Sequence, residues 1–140
     1  MEGNKVFNIR SKITKDSLTE DPVKIFYNQY VSIIKQIIGI TNKQSEVLSE
    51  LLYQNYLLKD KINDSDFRWR AVFDSQNRKV MQSNIEVPEK NFSNCLTDLR
   101  KKNILKGHQI IDNLVVYPKI KEDAGAFVLA FKFTIDGADV

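Results

Sequence analysis

Residues 85–105 read IEVPEKNFSNCLTDLRKKNIL. Pro88 fixes φ and needs no donor, so it suits the start of a helix. Behind it Phe92, Leu96 and Leu99 recur at helical spacing, with Cys95 between them, so one face packs inward. Glu89, Lys90, Asn91, Ser93, Asn94, Thr97 and Lys101 are left facing out. The stretch ends in the basic run Arg100-Lys101-Lys102 and an aliphatic pair, Ile104-Leu105. It combines a face that packs with a face that is presented to something else.

On its N-terminal side, Asp74-Ser75 offers an N-cap. The segment SQNRKVMQSN then reads as a short helix with Val80 and Met81 inward, and Ile85 to Val87 form a turn into the helix above. Further upstream, FRWRAVF at 67–73 alternates, with Phe67, Trp69, Ala71 and Phe73 on one face. That period favours a half-buried strand, with a helix as the competing reading. Residues 59–66 read as a loop. Thr41 and Gln44 fit a capping box, which opens a helix whose buried stripe is Val47, Leu48, Leu51, Leu52 and Tyr56. Asp21-Pro22 opens an earlier helix carrying Val23, Phe26, Tyr27, Tyr30, Ile34, Ile37 and Ile38 to a stop at Gly39. Residues 1–20 are an N-terminal arm, within which Val6, Phe7 and Ile9 can make a short strand.

On the C-terminal side, His108 to Ile111 and Leu114 to Tyr117 are β-prone. Asp112-Asn113 between them tolerates φ > 0, so a two-residue hairpin turn is expected there, with Pro118 ending the second strand. KIKEDAGA, 119–126, reads as a loop. AFVLAFKFTI, 126–135, alternates as a long strand with Phe127, Leu129, Phe131, Phe133 and Ile135 on one face. With 140 residues, 42% of them hydrophobic, the chain suits a single α+β domain over 21–140 after the arm.

The order helix, helix, strand, short helix, turn, helix, hairpin resembles the winged helix-turn-helix domains of bacterial and phage transcription regulators and replication initiators. The resemblance is carried by Ile85 and Val87 around the turn, by Phe92, Leu96 and Leu99 inside the second helix, by the basic tail 100–102, by Ile104-Leu105, and by a wing at 107–117. It covers a core of residues 41–118, to which an extra N-terminal helix and an extra C-terminal strand at 119–140 are added. It implies double-stranded DNA as partner. Lys90, Asn91, Ser93, Asn94 and Thr97 would face base edges, since Asn pairs well with adenine. Arg78, Lys79, Arg100, Lys101, Lys102 and Lys106 would neutralise phosphates, and His108 would reach from the wing. The abundance of Lys, Asn and Ile over Arg fits an AT-rich bacterial or phage genome.

A fold does not fix a function, however. Glu86 and Glu89 place acid at the start of the presented face. A structural or adaptor role through protein–protein contact, as in a virion or a polymerase complex, is therefore the alternative. Helix 22–38 and strand 126–135 exceed what a minimal winged helix needs and are the expected homodimer or partner surface.

Catalytic chemistry is not indicated. His108 is the only histidine, Cys95 is the only cysteine and faces inward, and the 5 glycines form no phosphate loop. Asp60, Asp64 and Asp66 lack the remaining ligands of a calcium loop. No cofactor or metal is expected. The longest apolar run, around Ile33 to Ile40, is broken by Lys35, Gln36 and Gly39, so no membrane partner is expected. A single thiol and the lack of an apolar signal core suggest the cytoplasm, or the virion if the gene is a phage's.

Overall fold

The computed structural model describes residues 5–14, 21–123 and 126–135, with side-chain surroundings over 21–118. The fold is α+β. In chain order it runs β1 (Lys5–Thr14), α1 (Pro22–Ile38), α2 (Asn42–Leu58), α3 (Ser65–Val72), α4 (Ser75–Ile85), α5 (Glu89–Lys101), β2 (Leu105–Lys106), β3 (Gln109–Ile110), a 3-10 turn (Asp112–Leu114), β4 (Lys119–Asp123) and β5 (Ala126–Ile135). The chain divides into two compact units. One comprises residues 27–116, and the other comprises 1–26 together with 117–140.

In the 27–116 unit, α2 is the central helix, touching α3, α4 and α5. Its capping box is as the sequence implies: Gln44 N donates to Thr41 Oγ1 at 3.2 Å, and Thr41 N donates to Gln44 Oε1 at 3.0 Å. Val47, Leu48, Leu51 and Leu52 are fully buried. The helix also buries polar groups, each of which needs a partner. Glu50 accepts from Gln54 Nε2 and from Asn84 Nδ2, both at 2.9 Å, which ties α2 to α4. The last turns of α1 belong to the same unit. Tyr27 and Tyr30 are buried, and their hydroxyls donate to the carbonyls of Val116 (2.7 Å) and Leu114 (2.9 Å). Gly39, at φ +71°, stops α1. Ile37, placed in the inward stripe by the sequence, is 49% exposed, because α1 packs on a face centred on Tyr30 and Ile34.

Residues 65–72 are helical and not a strand, so the competing reading of FRWRAVF is the right one. Asp64 caps it, accepting from Asp66 N, and Arg68 is drawn back onto Asn55 Oδ1 and the Ile62 carbonyl at 2.7 Å each. The buried pair is Trp69 and Val72, three residues apart, whereas period two would have buried Phe67, which is 61% exposed. In α4, Met81 is fully buried but Val80 is 48% exposed, a second departure from expectation. Adjacent residues of a helix lie about 100° apart, so only one of the two can face α2.

Between α4 and α5 the chain turns over Glu86 to Pro88. Glu86 takes the left-handed conformation (φ 54°) and Val87 is buried beneath the turn. Beyond the end of α5, Asn103 is also left-handed (φ 62°), with Ile104 N bonded to Leu99 O at 3.0 Å. The hairpin does not turn at Asp112-Asn113. Leu105 pairs with Ile110 and Lys106 with Gln109, so the turn is Gly107-His108. Gly107 has φ +63° at the first central position, where a II′ turn asks for glycine. Residues 112–114 form a 3-10 turn instead, and a short hairpin over 105–110 stands where a wing over 107–117 was expected.

In the other unit, β5 forms as expected and lies between β1 and β4, antiparallel to both. The strand alternative for the arm holds, since β1 pairs with β5 over ten residues, Lys5↔Ile135 to Thr14↔Ala126. β4 occupies much of what reads as a loop.

Candidate nucleic-acid interface

α5 is positioned by its apolar face. Phe92, Leu96 and Leu99 are fully buried and Cys95 nearly so. Opposite them, Lys90, Asn94, Thr97 and Lys101 recur at i, i+4, i+7 and i+11 and are all exposed. They form one stripe about 16 Å long, down the side of α5 diametrically opposed to its buried side. Asn91 flanks the stripe and is exposed too. Lys90, Asn91, Asn94 and Lys101 make no side-chain hydrogen bond or ion pair with other described residues, whereas the Thr97 hydroxyl donates to Ser93 O.

The other expected contacts divide by partner. Arg78, from α4, is committed to α5. It donates to Glu89 Oε2 at 3.0 Å and to Ser93 Oγ at 2.7 Å, and lies over the Phe92 ring at 5.3 Å. Ser93 in turn donates to Glu89, and Gln82 donates to the same carboxylate. Hydrogen bonds from Ser93 and Gln82, with Arg78 adding its charge, hold the Glu89 carboxyl below the usual range. The acidic start of the helix is thus largely answered from within. Arg100 Nε donates to the Gly107 carbonyl at 2.9 Å, fixing the hairpin to α5, and Lys102 Nζ donates to the Gly39 carbonyl. Lys79, on α4, is exposed.

The hairpin tip carries Lys106 and His108, both exposed, and the imidazole lies against Phe73 with ring centroids 5.1 Å apart. An open cleft of about 200 Å³ runs between α3 and the hairpin, lined by Asp66, Trp69, Arg70, Lys106, His108 and Gln109. Arg70 is not among the expected contacts. The signal for it was Asp64, a helix cap immediately before the run. Trp69, at 3% exposure, packs beneath this cleft.

Burial, then the nearby Asp98 carboxylate, push the Cys95 thiol up, so it is a neutral thiol near pH 7 and a poor nucleophile. Among the described residues no group of three His, Cys, Asp or Glu is placed to hold a metal ion, and no helix is long and apolar enough to cross a membrane. Comparison with known protein families, with curated proteins and with solved structures finds no match.

Proposed function

We propose that the 27–116 unit is a winged helix-turn-helix that binds double-stranded DNA, with α5 as the reading helix, in a transcriptional regulator or a replication-associated factor. The observation that carries this reading is the exposed stripe Lys90, Asn94, Thr97 and Lys101, with Asn91 beside it, on a helix held rigidly by its opposite face. A helix of this width fits the major groove, roughly 12 Å across. The two amides supply adenine-type pairing and the two lysines supply charge at either end of the stripe. The hairpin adds to it, since its tip is Gly107-His108 beside Lys106 and not the Asp112-Asn113 pair expected from sequence. Arg78, Arg100 and Lys102 act as scaffold in this reading, and Lys79 and Lys106 remain as phosphate contacts.

Titration of a mixed-sequence duplex across a salt series tests it. Four lysines (79, 90, 101 and 106) at phosphates contribute about −3.6 to the slope of log K against log [salt], at about 0.9 per contact. A slope near zero, or no binding at ~50 mM salt, rejects it. The adaptor reading draws on Phe67, 61% exposed, with Arg70 over its ring at 5.7 Å, an aromatic–arginine pair of the kind enriched at protein interfaces. Co-purification of a protein partner that survives nuclease and is lost in Phe67→Ala would favour it.

A further inference from the structure

The register of the three-stranded sheet sorts its residues by face. Successive residues of a strand fall on opposite faces, and directly paired residues share one. One face collects the aromatic residues of the strands, among them Phe7, Phe127, Phe131 and Phe133. The other collects cations: Arg10 and Lys12 from β1, Lys119 and Lys121 from β4, and Lys132 from β5. The pairing sets them in rows. Arg10, Ala130 and Lys119 form one, Lys12, Val128 and Lys121 the next, and Asn8 with Lys132 a third. Strands lie about 4.8 Å apart and alternate residues about 6.7 Å apart. The Cα atoms of Arg10, Lys12, Lys119 and Lys121 therefore mark the corners of an area roughly 10 Å by 7 Å. Asp123 is the one acidic residue on this face among the described strands, which leaves it four positive charges on a chain whose formal total is +3.

We infer that this face is a second polyanion-binding surface, a platform for the phosphate backbone of nucleic acid. Like charges gathered on one face of a sheet repel unless a counter-charge meets them. A row of phosphates supplies that counter-charge at regular spacing. The face carries no aromatic residue on which a base could stack, so it takes the backbone without reading sequence. Between the cations this face offers only Ala130 and Val128, and none of the large Trp, Phe or Leu residues that enter a lipid surface. The surface belongs to a different unit from α5, and its assignment stands apart from the reading-helix proposal.

The full-length chain is titrated by fluorescence anisotropy against a mixed-sequence DNA duplex over a salt series. R10Q/K12Q/K119Q/K121Q is expected to lower the magnitude of the salt slope by about 3 to 4, at roughly 0.9 per phosphate contact. The charge-keeping R10K/K12R/K119R/K121R must hold the wild-type slope, which shows that the loss is one of charge and not of fold. K90A/K101A removes its own increment of about 2 with the sheet intact, so either surface can fail without the other. An unchanged slope in the glutamine variant, with wild-type circular dichroism, overturns the inference. So does a glutamine variant that loses sedimentation with phosphatidylserine vesicles while its DNA slope is unaltered.

Discussion

If α5 reads DNA as proposed, replacing Glu89 with Gln makes the protein less stable and a better DNA binder at once. Glu89 is the first residue of α5, where a negative charge meets the positive end of the helix dipole, worth about 0.3 to 1 kcal/mol at an exposed site. Its ion pair with Arg78, at 3.0 Å, joins a carboxylate side chain 61% exposed to a guanidinium 27% exposed, so it adds only about 0.2 to 1 kcal/mol. Glutamine keeps one oxygen for Ser93 or Gln82. The expected loss is about 1 kcal/mol, read as a shift of the urea midpoint with unchanged m-value. The carboxyl's folded pKa is depressed, so its contribution is present above the unfolded value, about 4.3, and fades as pH falls through the lower folded value. The gap between wild type and variant should therefore be full at pH 7 and close below pH 4. Meanwhile the variant removes one negative charge beside the exposed stripe and releases Arg78 to a phosphate. The magnitude of the salt slope should rise by about 1. A stability loss with an unchanged or smaller slope would refute the placement of this end of α5 against DNA. A stability gain would refute the clasp itself.

Two further outcomes test the packing. Phe92→Ala empties a fully buried position between α5 and its supports and removes the ring beneath Arg78, so a loss of about 3 to 5 kcal/mol is expected in chemical denaturation, and one below ~1 would place Phe92 outside the core. Burial pushes the Tyr30 phenol up to about 12. Raised above its unfolded value near 10, it contributes stability that is complete below pH 10 and is lost as pH climbs to 12, about 2 to 3 kcal/mol in all. Tyr30→Phe should flatten that alkaline decline in a pH series of urea midpoints, and an unchanged decline would show that the phenol is not buried as described.

Much of the helical unit can be read from particular residues. Thr41 with Gln44, Asp21 with Pro22, and Phe92 with Leu96 and Leu99 are local signals whose physics is local, and each element follows from them. The errors fall where local and non-local terms compete. FRWRAVF alternates well enough for a strand, but among the described residues no strand pairs with it, and Asp64 offers a helix cap. Asp112-Asn113 is a good turn pair. The hairpin forms one step earlier because Leu105 and Ile110 are both needed in the core, and register is set by that burial. β4 has one apolar residue in five, so its identity comes from pairing with β5 and leaves no periodic trace.

The site is legible in part. The exposed stripe of α5 follows from its buried face, by geometry alone. Charge gives no clue to which cations are already spent: Arg78, Arg100 and Lys102 look like phosphate contacts in sequence, yet each is tied to a residue outside its own helix.

The most direct test of the central claim compares two double variants of α5 on a panel of duplexes that differ in sequence. K90A/K101A should weaken binding to every duplex by a similar factor and lower the magnitude of the salt slope by about 2. N91A/N94A should leave the slope unchanged and compress the ranking of sequences, by about 1 to 3 kcal/mol for each base pair read. If both variants act alike on all sequences, or neither acts, α5 does not read DNA.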